Sequence, residues 1–88
     1  MKLIIAIVPD TDSDTVSTAL TGENFRVTQI ASTGGFLRRG HTTFLIGLED
    51  DQLDQALQII RTSRTSQPDP NQKQGVVFVL KVDHFMRF

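Results

Sequence analysis

Cysteine, tryptophan and tyrosine are absent from this 88-residue sequence, and proline occurs only three times. Without cysteine the chain can form neither disulfides nor thiolate metal sites. A chain this short makes one domain and buries only roughly 60–65% of the surface that its unfolded form exposes. We therefore expect a single domain, residues 1–88, that gains stability by packing against other copies of itself.

Neither sign of charge predominates, since nine Lys and Arg residues stand against ten Asp and Glu residues. Most domains that bind nucleic acid are strongly basic, so the near-neutral charge of this chain argues against a nucleic-acid partner. The apolar runs are much shorter than the roughly 18 residues of a membrane span. The apolar start of the chain is followed by Pro9 and Asp10 rather than by a small-residue cleavage site, which favours a strand over a signal peptide. These patterns predict a cytoplasmic protein with no nucleic-acid or membrane partner.

Catalytic and metal-binding motifs are missing as well. The sequence has no GxxxxGK[ST], no GxGxxG after a strand and no HExxH. His41 and His84 are far apart in the sequence. Asp10, Asp12 and Asp14 lack the Gly and Glu of a calcium-binding loop, and we interpret them as acids at the start of a helix. The sequence therefore predicts no enzyme activity, no metal site and no cofactor.

Apolar patterns predict four strands and two helices. Short continuous or alternating apolar runs mark the strands, which we place at residues 3–8, 25–32, 42–48 and 76–80. Helical spacing of apolar residues marks one helix that ends at Gly22 and a second that Asp50 and Asp51 cap. The order is βαββαβ, which predicts an α+β domain of the ferredoxin-like type.

The connection before the last strand, at about residues 62–74, is a short polar loop. Its composition offers no apolar face to bury, so ordering the loop costs more free energy than its contacts return. We expect residues 66–74 to be mobile.

One face of the predicted sheet has no cover within the chain. Two helices can cover only one face of four strands, yet the first and last strands are apolar on both faces. Self-association is the simplest way to bury the second face.

The turn at residues 33–40 combines three glycines with two large apolar side chains. The glycines allow a backbone to approach a ligand closely, and the N–H groups of such turns can bind phosphate. Phe36 could stack on a base with Leu37 beside it. Alternatively, both side chains pack into a neighbouring subunit and the glycines only form the turn. The residue types leave both interpretations open.

The second strand carries polar side chains on the face turned away from the helices, namely Asn24, Arg26 and Thr28. An arginine on a covered face needs a counter-ion, because burying an unpaired charge is costly. A ligand phosphate or a carboxylate of a neighbouring subunit would serve equally well. Together with the turn, this face has the parts that a nucleotide site at a subunit interface requires.

Several segments resemble the cyclic di-AMP receptor family of PII-like proteins: MKLIIAIV at 1–8, NFRVT at 24–28, STGGFLR at 32–38, GHTTFL at 40–45 and VVFVLKVDHF at 76–85. The resemblance implies a PII-like homotrimer of ferredoxin-like subunits with one ligand site in each cleft between subunits and no enzymatic activity. It also implies a set of residues that contact cyclic di-AMP: Asn24, Arg26, Thr28, Gly35, Phe36, Leu37, Gly47 and Phe78.

The sequence departs from this family at three places. His41 stands where the family has Asn, and Arg87 stands where the family has a base-reading Gln; we include both among the candidate ligand contacts. The loop at about 62–74 is much shorter than the family's loop, which changes order on ligand binding.

The function predicted from the sequence is that of a PII-like signal-transduction protein. It would bind cyclic di-AMP or a related nucleotide at subunit interfaces and act on a downstream protein partner that the sequence does not identify. The alternative is a PII-like or CutA-like trimer without this ligand, which acts as a protein-interaction module or senses another anionic metabolite.

Overall fold

The computed structural model describes residues 1–30, 40–63 and 75–88. Over these residues the chain forms strands and helices in the order βαββαβ, so the predicted α+β, ferredoxin-like architecture is confirmed. The predicted turn at 33–40, apart from Gly40, and the predicted mobile segment at 66–74 lie outside the described residues. The elements are β1 (Lys2–Pro9), α1 (Asp10–Gly22), β2 (Arg26–Ile30), β3 (His41–Leu48), a single 3₁₀ turn (Asp50–Gln52), α2 (Leu53–Thr62) and β4 (Val76–Lys81).

The four strands form one sheet in the order β2-β3-β1-β4, and every neighbouring pair is antiparallel. The register produces rows of residues across the sheet. Arg26 lies opposite Gly47, which lies opposite Leu3, which lies opposite Leu80. Because successive side chains in a strand point to opposite faces, all side chains of such a row share one face.

Both helices pack on the other face of the sheet and close the hydrophobic core there. In β1, Ile4 and Ala6 are fully buried, and they alternate with residues that are only half-buried. The 11 buried apolar residues form a single cluster. They are Ile4, Ala6, Val8, Val16, Leu20, Phe25, Phe44, Ile46, Leu48, Ala56 and Ile60.

The face away from the helices, which we call the open face, is apolar and uncovered. Within the described ranges no helix or strand lies over it. Strand β4 is the extreme case, since Phe78 and Leu80, in the rows of Ile5 and Leu3, are 51% and 46% exposed. The predicted apolar second face is thus present in the structure.

Acidic residues at the start of α1 have the predicted place in the first turn of the helix. Asp10 is tied to the start of β3 through two hydrogen bonds. Its backbone N–H donates to the Gly40 carbonyl at 2.9 Å, and the Thr42 hydroxyl donates to Asp10 Oδ1 at 2.6 Å. Helix α1 begins at Asp10, directly after β1 ends at Pro9.

The start of the second helical segment and the turn after α1 differ from the prediction. The cap of the second helical segment is not Asp50 and Asp51, because the backbone N–H of Glu49 donates to Gln52 Oε1 at 3.0 Å in a capping box. At the end of α1 the helix stops at Gly22 as predicted, but the residue in the left-handed region is Asn24, with φ of 69°. Asn24 therefore lies in the turn before β2 and is not part of that strand.

Gly75 marks a close approach between the start of β4 and the end of β1. A Cβ atom at this position would lie 2.8 Å from the carbonyl oxygen of Ile7 and 3.7 Å from Cα of Val8. The backbone of a central strand has little freedom to give way. Glycine is therefore required for β4 to pair with β1 at this end.

We expect Gly75→Ala to lower the free energy of unfolding by about 1–3 kcal/mol, the usual cost of an extra methyl group in a packed contact. The matched control is Gly22→Ala, because a Cβ there meets nothing within 4 Å and should leave stability unchanged or raised by up to about 1 kcal/mol. Urea denaturation followed by circular dichroism, at one chain concentration, measures both variants. Equal stability of Gly75→Ala and wild type would refute the close approach.

Candidate functional site

A groove of about 680 Å³ runs along the open face at the end of the sheet where β1 begins. Arg26 and Thr28 of β2 form one wall, with Leu45 and Gly47 of β3 beside them. The first residues of the chain and the C-terminal tail after β4 complete the lining. The register explains this grouping, because Arg26 lies opposite Gly47 and Thr28 lies opposite Leu45.

Four of the residues predicted for ligand binding meet in this groove: Arg26, Thr28, Gly47 and Arg87. Strand alternation placed Arg26 and Thr28 on the open face, and the register agrees, with Gly47 opposite Arg26 on the same face. Arg87 arrives from the tail, which the sequence did not position. One groove thus unites residues that are up to 61 positions apart, from Arg26 to Arg87.

The groove is basic. Its lining residues include Lys2, Arg26 and Arg87 against the single acid Glu49. Arg26 is exposed, and it forms no ion pair with any residue that the structure describes. The guanidinium carbon of Arg87 lies 5.9 Å from the centre of the Phe85 ring, a cation–π distance. Two arginines thus line a space that suits an anionic ligand.

Gly47 keeps the floor of the groove open. A Cβ atom there would meet only the Met1 methyl carbon, at an ordinary contact distance of 3.6 Å. The fold itself therefore tolerates a side chain at this position. The space that glycine leaves is available to a ligand instead.

Met1, which lines the groove beside Gly47, is fixed by two contacts. Its amino group lies 3.0 Å from Asp50 Oδ1, and its carbonyl oxygen accepts the backbone N–H of Val82 at 3.1 Å. The hydrogen bond from the amino group lowers the pKa of Asp50 below its usual value. The contact to Val82 also ties the start of the C-terminal tail to the groove.

The other predicted contacts lie elsewhere or outside the described residues. Phe78 is on the open face in the row of Thr28, but three strand spacings of about 4.8 Å separate the two residues, roughly 14 Å. His41 begins β3 and lies opposite Pro9, six residues and about 20 Å along the strand from Gly47. Asn24 precedes β2 and is exposed. The predicted contacts outside the described residues are Gly35, Phe36 and Leu37.

Sequence analysis missed Phe85 as a residue of the groove. It lies under Arg87 and lines the same space. Phe85 and Arg87 are two positions apart, and residues at this spacing in an extended segment share a side. The sequence does not show where the tail runs, so this spacing alone does not place Phe85 in the groove.

Across residues 1–30, 40–63 and 75–88, no three His, Asp or Glu side chains come together in a way that could hold a metal ion. Nor does the described structure contain a helix long and apolar enough to cross a membrane.

Comparison with known proteins identifies the family. The model of the cyclic-di-AMP receptor family matches residues 1–70, which is most of the chain. The chain belongs to the cyclic-di-AMP receptor family. A similar solved structure is a functionally unknown protein from Pediococcus pentosaceus ATCC 25745, with a TM-score of 0.76 and 39% sequence identity. The match covers 99% of this chain and 96% of that one.

Membership of the cyclic-di-AMP receptor family confirms the resemblance predicted from the sequence. It supports the role of a nucleotide-binding receptor of the PII-like kind, and the basic groove is compatible with that role. The family match ends at residue 70, so Phe78 and Arg87 lie beyond it.

Asn24 has two possible roles, as the turn residue with positive φ and as a contact to the ligand, and two substitutions separate them. We expect Asn24→Gly to keep the stability of the fold, since glycine adopts positive φ freely, but to weaken cyclic di-AMP binding about two- to tenfold through loss of one hydrogen bond. Asn24→Ala should in addition lower the free energy of unfolding by about 1–2 kcal/mol, the cost of a left-handed conformation.

Urea denaturation and calorimetric titration with cyclic di-AMP measure the two effects. If Asn24→Gly binds the nucleotide as tightly as wild type, the side chain serves the turn alone and is not a ligand contact.

Proposed function

We propose that this chain is a PII-like signal-transduction protein that binds cyclic di-AMP, or a closely related nucleotide, in the groove on the open face. The observation that carries the proposal is the convergence of Arg26, Thr28, Gly47 and Arg87 in one basic groove of a cyclic-di-AMP receptor. In this proposal Arg26 pairs with a phosphate, and the space above Gly47 admits the ligand close to the backbone.

Charge supports a phosphate-bearing ligand. A phosphate offers two oxygens to the donor fork of an arginine, and such charge-assisted pairs are stronger than neutral hydrogen bonds. Arg26 is exposed and has no ion pair among the described residues, so its guanidinium is available. Arg87 supplies a second guanidinium on another wall of the groove.

We further propose that the site lies between copies of the chain in a homotrimer. Phe78 is too far from Arg26 and Thr28 to contact the same small ligand from the same chain, at roughly 14 Å from Thr28. It is also half-exposed, at 51%, on an apolar face that needs cover. A second copy placed against the open face would cover it and bring its own Phe78 towards the groove.

The remaining parts of the proposal concern contacts and output. Gly35, Phe36, Leu37 and His41 would complete the ligand site. A receptor of this kind works in the cytoplasm, reports to a downstream protein and catalyses no reaction.

Calorimetric titration with a nucleotide panel tests the function: cyclic di-AMP, cyclic di-GMP, cyclic AMP, ATP and ADP. We expect at least one of these to bind to the wild-type protein. Arg26→Ala should weaken that binding by roughly tenfold to over a hundredfold, because charge-assisted hydrogen bonds contribute about 1.5–3 kcal/mol each. The matched control is Arg61→Ala, which removes an exposed arginine from α2 on the other side of the sheet and should leave affinity unchanged.

Unchanged affinity in Arg26→Ala, with the assembly intact, would show that Arg26 is an interface salt-bridge residue and that the groove is not the nucleotide site. Absence of binding by the whole panel would favour the alternative of a trimeric interaction module or a sensor of a different anionic metabolite.

A further inference from the structure

A second cavity lies on the helix side of the sheet, away from the groove. Its volume is about 330 Å³, and it is lined by the end of β1, the first turn of α1, the last turn of α2 and the start of β4. Val8 belongs to its lining, whereas Leu3 lines the groove, and five residues of β1 span about 16 Å. The two spaces also lie on opposite faces of the sheet. A ligand in one does not touch the other.

Most of the cavity wall is apolar, with Val8, Ile60, Val76 and Val77 among the lining residues. Its volume is at the lower end of the range for small-molecule sites, about 300–1,000 Å³. The cavity therefore suits a small ligand with an apolar body.

Asp12 places a carboxylate inside this apolar wall. Asp12, Val16 and Leu20 recur every four residues along α1, and all three are fully buried. A charged residue thus occupies a core position where the helix pattern calls for an apolar one. The helix N-terminus offsets part of the cost of burying this charge. A carboxylate has about four acceptor positions, so Asp12 can bind a cationic group while it keeps the contacts that it already makes.

Arg61 supplies the opposite charge on another wall. It lies in the last turn of α2, lines the cavity and is exposed. No described Asp or Glu lies within ion-pair distance of its guanidinium. The cavity therefore offers a carboxylate on one side, a guanidinium on another and apolar side chains between them.

We propose that this cavity binds a small apolar amino acid. The ligand's ammonium group pairs with Asp12, its carboxylate pairs with Arg61, and its side chain packs against Ile60 and Val77. A purely anionic ligand would be repelled by Asp12, and a simple amine would leave Arg61 unmatched. A zwitterion with an apolar side chain satisfies all three features of the cavity. The inference is independent of the nucleotide site.

The test is a titration of the wild-type protein with leucine, isoleucine, valine, methionine and phenylalanine at millimolar concentration, followed by amide chemical shifts. We expect at least one of the five to shift the signals of Asp12, Arg61 and Val77. Asp12→Asn and Arg61→Gln should each weaken that binding about tenfold or more, as loss of a charge-assisted hydrogen bond requires. Asp14→Asn, an exposed acid on the same helix, is the matched control and should bind as wild type does.

Two analogues of leucine test the pairing itself. The amine 3-methylbutylamine lacks the carboxylate, and 4-methylpentanoate lacks the ammonium group, so both should bind at least about tenfold more weakly than leucine if leucine binds. The proposal is overturned if none of the five amino acids shifts these signals, if both variants bind as wild type does, or if either analogue binds as tightly as leucine. Arg61→Gln changes an exposed residue and should fold normally. Its amino-acid affinity therefore tests the proposal even if Asp12→Asn fails to fold.

Cyclic di-AMP titration of the same variants separates the two sites. Nucleotide affinity should be unchanged in Asp12→Asn and Arg61→Gln, whether or not the amino acid binds. A parallel loss of nucleotide affinity in both variants would contradict an independent site.

Discussion

The structure of this receptor depends on one constraint: two helices can cover only one face of a four-stranded sheet. The core forms on the helix side, where Ile4, Phe44 and Ile46 are fully buried. The open face keeps the apolar residues of β1 and β4 without cover, and Phe78 is half-exposed there. Burial of such a surface contributes about 25 cal/mol per Å², which supports the proposed association through it. The same face carries the groove, so in this proposal ligand binding and assembly are coupled.

Polar residues of β2 lie on the open face at the groove. There Arg26 and Thr28 stand beside Gly47, whereas β1 and β4 present apolar side chains on this face. A charge on a face that a second copy covers needs a partner, since desolvating it alone is costly. In the proposed function a nucleotide phosphate is that partner, which would account for a basic recess on an otherwise apolar sheet face. On the helix side of the sheet a polar residue also interrupts an apolar pattern, because Asp12 lies in the apolar stripe of α1 beside the second cavity.

Sequence patterns predicted those features that rest on local periodicity. The element order, the buried stripe of α2 and the strand faces of Arg26, Thr28 and Gly47 follow from spacings of two, three and four residues. The position of Arg87 and Phe85 in the groove depends on the path of the tail, which no periodicity encodes. Asn24 was assigned to a strand because it precedes an alternating run, while its positive φ makes it a turn residue. Burial of Asp12 was equally invisible, because an acid in the first turn of a helix is ordinarily solvated.

The central claim is that the open face is an interface between copies of this chain. Light scattering of the purified protein at micromolar concentration, coupled to size exclusion, measures it directly. The account predicts a single species with the mass of a trimer, three times the 9.8 kDa of one chain. A stable species with the mass of one chain would contradict both the covered face and a ligand site shared between subunits.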